Sequence, residues 1–189
     1  MLHIVTPLYR YNILSKVYSS IPKGDDITWH IARSSRRDAP TDFDFIKEDK
    51  RIKYYELDCL DSDTTAKRNA CFAEIKDGYF CLVDDDTEFH PGMYEAYKKC
   101  LLSNFIGIMT GDQLWSDGRL RIKAGRPIIG KIDSGNALAH SSCLSECKWP
   151  DKTKITCCWD YFFWKSVYDF YKEYKTTDSV ISIYNSIRQ

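Results

Sequence analysis

Apolar and polar residues follow two rhythms along this chain, one of period two and one near 3.6. Leu2–Pro7 is mostly apolar and predicts a first strand. Tyr11–Ser19 predicts a helix, closed by Pro22 and Gly24. Ile27, Trp29 and Ile31 alternate with Thr28, His30 and Ala32, which predicts a second strand. The polar stretch Asp38–Asp49 contains Pro40 and reads as loop. Ile52–Leu57 predicts a third strand. Asp63 or Thr64 can cap a helix running to Lys76, with Ala66, Ala70 and Ala73 on one face and Gly78 as its stop. Tyr79–Val83 predicts a buried fourth strand, and Gly92–Asn104 a helix entered through His90-Pro91.

The second half is less regular. Phe105–Thr110 predicts a strand, and Asp117-Gly118 a hairpin turn between Gln113–Ser116 and Leu120–Lys123. Pro127 and Gly130 break the next stretch. Asn136–His140 predicts a short strand after the turn-prone Asp133-Ser134-Gly135. Asp160–Lys175 predicts a strongly aromatic helix, and Ser179–Arg188 a final one. The β-α-β-α order implies the α/β class: a mostly parallel sheet flanked by helices, with a small antiparallel portion in the second half. No repeat, low-complexity run or linker divides the chain, and 189 residues suit a single domain.

Composition narrows the function classes. Hydrophobic residues make up 43% and charged residues 29%, enough for a real core. Lys+Arg and Asp+Glu both number 27, so the net charge is zero, which argues against nonspecific nucleic-acid binding. A local basic pocket for a phosphate-bearing small molecule is still compatible with that balance. No window has the length of a membrane span, and the first residues already look like a core strand rather than a leader. The expectation is a cytoplasmic protein. The eight cysteines are scattered and read as reduced, small hydrophobes. Cys143-x3-Cys147 with Cys157-Cys158 is a weak zinc signal, because adjacent cysteines chelate one ion awkwardly.

Candidate chemistry gathers in four places. The fourth strand ends in Asp84-Asp85-Asp86. Ligands of open α/β sheets bind just past such strand ends. Three crowded carboxylates repel one another unless a cation neutralises them, and hard oxygen ligands suit Mg²⁺ or Mn²⁺ shared with a substrate diphosphate. In extended backbone Asp84 and Asp86 share a face, so both can reach one ion. Alone, the triplet reads about equally well as an acidic turn; its place after a buried strand favours metal. Lys67-Arg68-Asn69 opens a helix, where cations can hold a diphosphate near the positive helix end. Thr6-Pro7-Leu8-Tyr9-Arg10 leaves the first strand and can take a base and ribose, with Tyr9 as a stacking ring. Asp160 sits among Trp159, Tyr161, Phe162, Phe163 and Trp164, where desolvation makes a carboxylate a better general base. Each of these last three has a plain structural alternative: a solvated helix face, an ordinary turn and an N-cap.

Taken in order, these segments resemble the GT-A glycosyltransferases, particularly compact family-2-like members, over roughly Leu2 to Trp164. Leu2–Arg10 looks like the first nucleotide-binding strand and loop, and Ile27–Ser35 like the second, with Ser34 near the uridine position. Ala66-Lys67-Arg68-Asn69-Ala70 is similar to the A-R-N-x-G helix start, and Cys81–Thr87 to the D-x-D strand end. Asp133-Ser134-Gly135-Asn136 resembles the acceptor-side strand start, and Trp159-Asp160 the position where inverting members keep their base. The likeness extends to chlorovirus members that decorate capsid proteins. The second strand ends Ala32-Arg33-Ser34-Ser35 without the usual aspartate pair, and the Q-x-x-R-W motif of processive synthases is missing.

The resemblance implies a Rossmann-like GT-A domain over 1–189, nucleotide-binding over about 1–110 and acceptor-side over about 111–189. It implies metal-dependent transfer of a sugar from a nucleotide diphosphate sugar, UDP-sugar favoured, to a glycan or glycoprotein acceptor. Asp84 and Asp86 would hold Mn²⁺ or Mg²⁺. Thr6, Pro7, Tyr9, Arg10, Ser34, Lys67, Arg68, Asp84 and Asp85 would line the donor site. Asp160 would be the base, with Arg68 supporting leaving-group charge. His140 is a weaker candidate for a further metal ligand, and a structural histidine is the preferred reading. The resemblance also implies a piece of a longer multidomain chain, in a host cytoplasm if viral. Two competing functions are a sugar-phosphate nucleotidyltransferase and a non-catalytic nucleotide-sugar binding module. The first expects a Gly-rich basic loop where Thr6–Arg10 has no glycine. The second is opposed by the intact Asp84, Asp86 and Asp160.

Overall fold

The computed structural model describes residues 1–37, 44–151, 155 and 157–184. In chain order the elements are β1 (Leu2–Pro7), α1 (Leu14–Ser20), β2 (Ile27–Ser34), α2 (Asp44–Glu48), β3 (Ile52–Leu57), α3 (Thr64–Glu74), β4 (Tyr79–Leu82) and β5 (Glu88–Phe89). They continue with α4 (Pro91–Leu102), β6 (Ile108–Trp115), β7 (Leu120–Ile122), β8 (Ala137–His140), α5 (Trp159–Tyr171) and β9 (Tyr174–Tyr184). Among the described residues the strands form one sheet, ordered β3-β2-β1-β4-β8-β6-β9-β5, with β7 paired to β6. β1, β2, β3 and β4 are mutually parallel. β8 enters antiparallel to both β4 and β6, while β9 runs parallel to β6. The predicted class and its mixed second half are therefore present.

Period two builds the two faces. Leu2, Ile4, Tyr79 and Cys81 point into one core with Leu14, Trp29, Met93 and Tyr97. Val5, Phe80 and Leu82 point into the other, with Phe72, Phe163 and Trp164. Aromatic stacking ties α3 and α5 to that second face: Phe72 lies 5.2 Å from Phe163, and Phe80 lies 5.8 Å from Trp164. Gly78 turns the chain into β4 with φ at +82°, and a side chain there would strike the Met1 backbone.

Three expectations need correction. The C-terminal segment is not a helix: Ser179–Tyr184 belongs to β9, and 185–188 lie outside the described residues. Val180, Ile181 and Ile183 are β-branched, and a free edge of β6 accepts them in parallel register. Asp44–Glu48 within the expected loop is a short helix, the preceding 38–43 lying outside the described residues. Helix α3 ends at Glu74 with Ile75 as its C-cap, two residues short of the expected Lys76. It buries Lys67, Arg68, Cys71 and Phe72, because Cys71 and Phe72 remove more apolar surface than alanine methyls do.

Candidate active site

The acidic triplet lies where it was expected, past the carboxyl end of β4 and next to the end of β1. Its backbone is a turn rather than an extended strand, closed by the Thr87 amide donating to the Asp84 carbonyl at 2.9 Å. The three side chains therefore diverge and take three roles.

Asp84 accepts from the Arg68 guanidinium on one oxygen and from the Ser134 hydroxyl at 2.8 Å on the other. Asp85 turns back under the loop after β1. One of its oxygens accepts the backbone N–H of Tyr9 at 2.5 Å and of Arg10 at 2.6 Å; the other meets the Arg10 guanidinium at 2.5 Å. Burial pushes the Asp85 carboxyl above its usual range, and the Arg10 and Tyr9 amides pull it back. Asp86 is buried and lies 3.3 Å from the same guanidinium. All three line a cleft of about 300 Å³, together with Tyr9, Arg10 and Arg68. Three carboxylates outnumber two guanidiniums there. The floor of the cleft keeps a net negative charge, which repels a bare diphosphate.

Arg68 is aimed by Trp149, whose ring lies 3.8 Å below the guanidinium carbon. Its Nε has no hydrogen-bond partner among the described residues. Trp149 is held in turn by its backbone N–H, which donates to the Asn69 side chain at 2.7 Å.

Other candidates are placed differently. Lys67 is fully buried and does not reach the cleft: its ammonium donates to the carbonyls of Leu8 at 2.7 Å and Asp61 at 2.5 Å. It pins the loop after β1 to the start of α3. Thr6 is also buried. It accepts from the Trp29 indole at 2.9 Å and donates to the Val83 carbonyl at 2.6 Å, tying β1 to the root of the triplet. Ser34 is buried and donates to the Cys59 carbonyl at 2.6 Å. Pro7 and Tyr9 line the cleft; Tyr9 is 45% exposed, and the Arg10 and Arg37 guanidiniums lie over its ring at 5.7 and 5.3 Å. His140 is structural: it pairs with Tyr79 at the opposite end of β4 and stacks edge-on against that ring at 5.2 Å.

Asp160 lies in the first turn of α5 and is half-buried. Desolvation pushes its carboxyl up to about 7; Arg68 opposes the rise, while Asp133 and Asp84 reinforce it. Charges of the cleft, those of Arg68 and Asp84, thus reach this group.

The sequence reading missed several neighbours. Tyr184, Ser62 and Thr64 also line the cleft, and Arg121 lies over the Tyr184 ring at 3.8 Å. Arg121 pairs with Asp133 at 2.9 Å. Tyr184 was hidden by the mistaken helix, and Ser62 and Thr64 by looking like ordinary capping residues. The cysteines form no metal site. All eight are free, and no group of three or more His, Cys, Asp or Glu able to hold a metal occurs among the described residues. Burial pushes the Cys71 and Cys100 thiols up to about 12, which leaves them unreactive.

No protein-family model matches the chain, and no curated protein matches it in sequence. Solved structures do. TarS 1–349 of S. aureus superposes with a TM-score of 0.74 at 12% identity over 97% of this chain. The fold is a GT-A glycosyltransferase fold. The same S. aureus protein in complex with UDP superposes at 0.74 with 10% identity over 96% of this chain, and in complex with UDP-GlcNAc at 0.71 with 11% over 96%. This chain spans about 60% of the TarS 1–349 length and 36% of a longer TarS chain. Among its described residues no helix is long and apolar enough to cross a membrane.

Proposed function

We propose that this chain transfers a sugar from a UDP-sugar to a hydroxyl of a glycan or protein-linked sugar. The observation that carries the reading is the meeting of Asp84, Asp86, Arg10 and Arg68 in one cleft at the carboxyl end of β4. The complexes of TarS with UDP and UDP-GlcNAc support a uridine diphosphate donor.

The donor set supports a divalent ion. Asp84 and Asp86 both line the cleft, and although their side chains diverge toward Arg68 and Arg10, each would offer a hard carboxylate oxygen to an ion whose shell substrate phosphate completes. Mn²⁺ or Mg²⁺ held there would offset the excess negative charge and act as a Lewis acid toward the diphosphate. Arg68, fixed between Asp84 and Trp149, stabilises charge on the departing diphosphate. Tyr9, on the cleft wall, would stack on the base once Arg10 or Arg37 swings off its ring. Asp85, Lys67 and Thr6 act indirectly, by holding the loop that presents Tyr9 and Arg10. Asp160, poised near neutral pH, takes the proton of the acceptor hydroxyl as an inverting transfer proceeds.

The test is thermal unfolding with UDP-GlcNAc, other UDP-sugars and GDP-sugars, each with and without Mn²⁺. A UDP-sugar should raise the melting temperature only when metal is present, and Asp86→Ala should erase that rise. Absence of a shift across the whole panel, with metal, removes the proposal.

A further inference from the structure

A second hollow, of about 530 Å³, opens beside the donor cleft between β7 and the loop that follows it. Its walls include Arg121, Lys123, Arg126 and Lys131, with Leu120 and Ile128 between them. The segment Leu120–Lys131 carries these four cations and no carboxylate, in a chain whose net charge is zero. Two of the cations are answered from neighbouring strands and turns: Asp133 meets Arg121 at 2.9 Å, and Asp112 meets Lys123 at 3.0 Å. Arg126 and Lys131 have no carboxylate partner among the described residues, and both are exposed.

The hollow adjoins the candidate active site through one shared wall and also packs against α5. Arg121 lies over Tyr184 at 3.8 Å, and Tyr184 forms part of the donor-cleft wall. Arg126 lies over Tyr168 at 4.8 Å, on the helix whose first turn carries Asp160. Guanidinium and ammonium groups in surplus recognise carboxylates or phosphates, and Leu120 and Ile128 offer apolar contact to sugar faces.

We propose that this hollow is an acceptor subsite for an anionic glycan, a chain of sugars bearing carboxylate groups. The inference rests on the transferase reading, since it names the acceptor class of that same site. Arg126 and Lys131 grip charges remote from the reacting hydroxyl, and Arg121 stands on the wall the two hollows share.

The test is calorimetric titration of the full chain with tetragalacturonic acid and, separately, with neutral maltotetraose. The acidic tetramer should bind about tenfold more tightly or better, and that advantage should shrink as salt rises from low to high. Arg126→Ala and Lys131→Ala, made singly at exposed positions, should each weaken the acidic tetramer several-fold while leaving UDP affinity unchanged. Equal affinity for the two tetramers, or indifference to both substitutions, overturns the inference. Binding to phosphatidylglycerol vesicles without binding to tetragalacturonate also overturns it, and marks the patch as membrane-facing instead. UDP titrations run alongside keep the two ideas separate. If UDP with Mn²⁺ binds but the acidic preference is absent, only this inference falls; if UDP fails to bind, the transferase reading falls first.

Discussion

Replacing Asp85 separates a structural brace from a donor ligand. Its side chain is almost fully buried, and one oxygen carries both loop amides, those of Tyr9 and Arg10. Asp85→Ala orphans two N–H groups, each worth about 1–3 kcal/mol when left unsatisfied. The cleft is open, so water can reach them and the lower end applies. The ion pair to Arg10 adds little, about 1 kcal/mol at most, because that side chain is 32% exposed and solvent screens it. The sum is about 3 kcal/mol, which in a domain of this size lowers the melting temperature by about 6–12 °C. Asp85→Asn keeps an acceptor oxygen for both amides but sets its NH2 group, in place of the second oxygen, against the Arg10 guanidinium. It should cost about 1 kcal/mol, or about 2–4 °C. Calorimetric or fluorescence melting in chelator, with urea unfolding as a second probe, measures both variants without metal. UDP titration of Asp85→Asn with Mn²⁺ should then give near-normal affinity. The reasoning fails if Asp85→Ala melts within about 2 °C of the native protein. It fails equally if Asp85→Asn keeps its stability but loses UDP.

Three further outcomes follow from the same geometry. Asp160→Asn should slow sugar transfer by ~100-fold or more with donor affinity near normal, read by single-turnover assay. The rate of the native protein should rise with pH as Asp160 loses its proton, with a midpoint below about 7 once a bound cation offsets the Asp84 charge; without metal, because this carboxyl is raised in the folded state, its contribution to stability is present at low pH and declines as pH climbs from about 4 toward 7, a slope Asp160→Asn should remove. Trp149→Phe keeps a ring under Arg68 with a weaker face, so UDP affinity should fall by about 3- to 10-fold while the fold persists, measured by titration and circular dichroism. Ser134→Ala removes the second hydrogen bond to Asp84 and should cost about 1 kcal/mol of stability in chelator, visible in urea unfolding.

Much of this molecule follows from local pattern. β3 begins and ends where its apolar alternation does, and α4 starts at the His90-Pro91 signal, with the His90 ring accepting the Gly92 amide at 3.2 Å. The sequence also located the acidic triplet at a strand end, because a buried parallel strand must be apolar until it leaves the sheet. It could not tell which way each acid turns. That depended on the loop after β1, which lies about 75 residues away in sequence and presents its amides to Asp85. Likewise nothing local separates Lys67 from Arg68. Adjacent on one helix, one is spent on carbonyls beneath a loop while the other reaches the cleft over Trp149. Ser179–Tyr184 shows the same limit: a short stretch of mixed propensity became a strand because β6 offered an unfilled edge. Residue order set which groups exist and where strands stop. The tertiary packing chose their partners, since hydrogen bonds and ion pairs form between groups that only the closed sheet brings within about 3 Å.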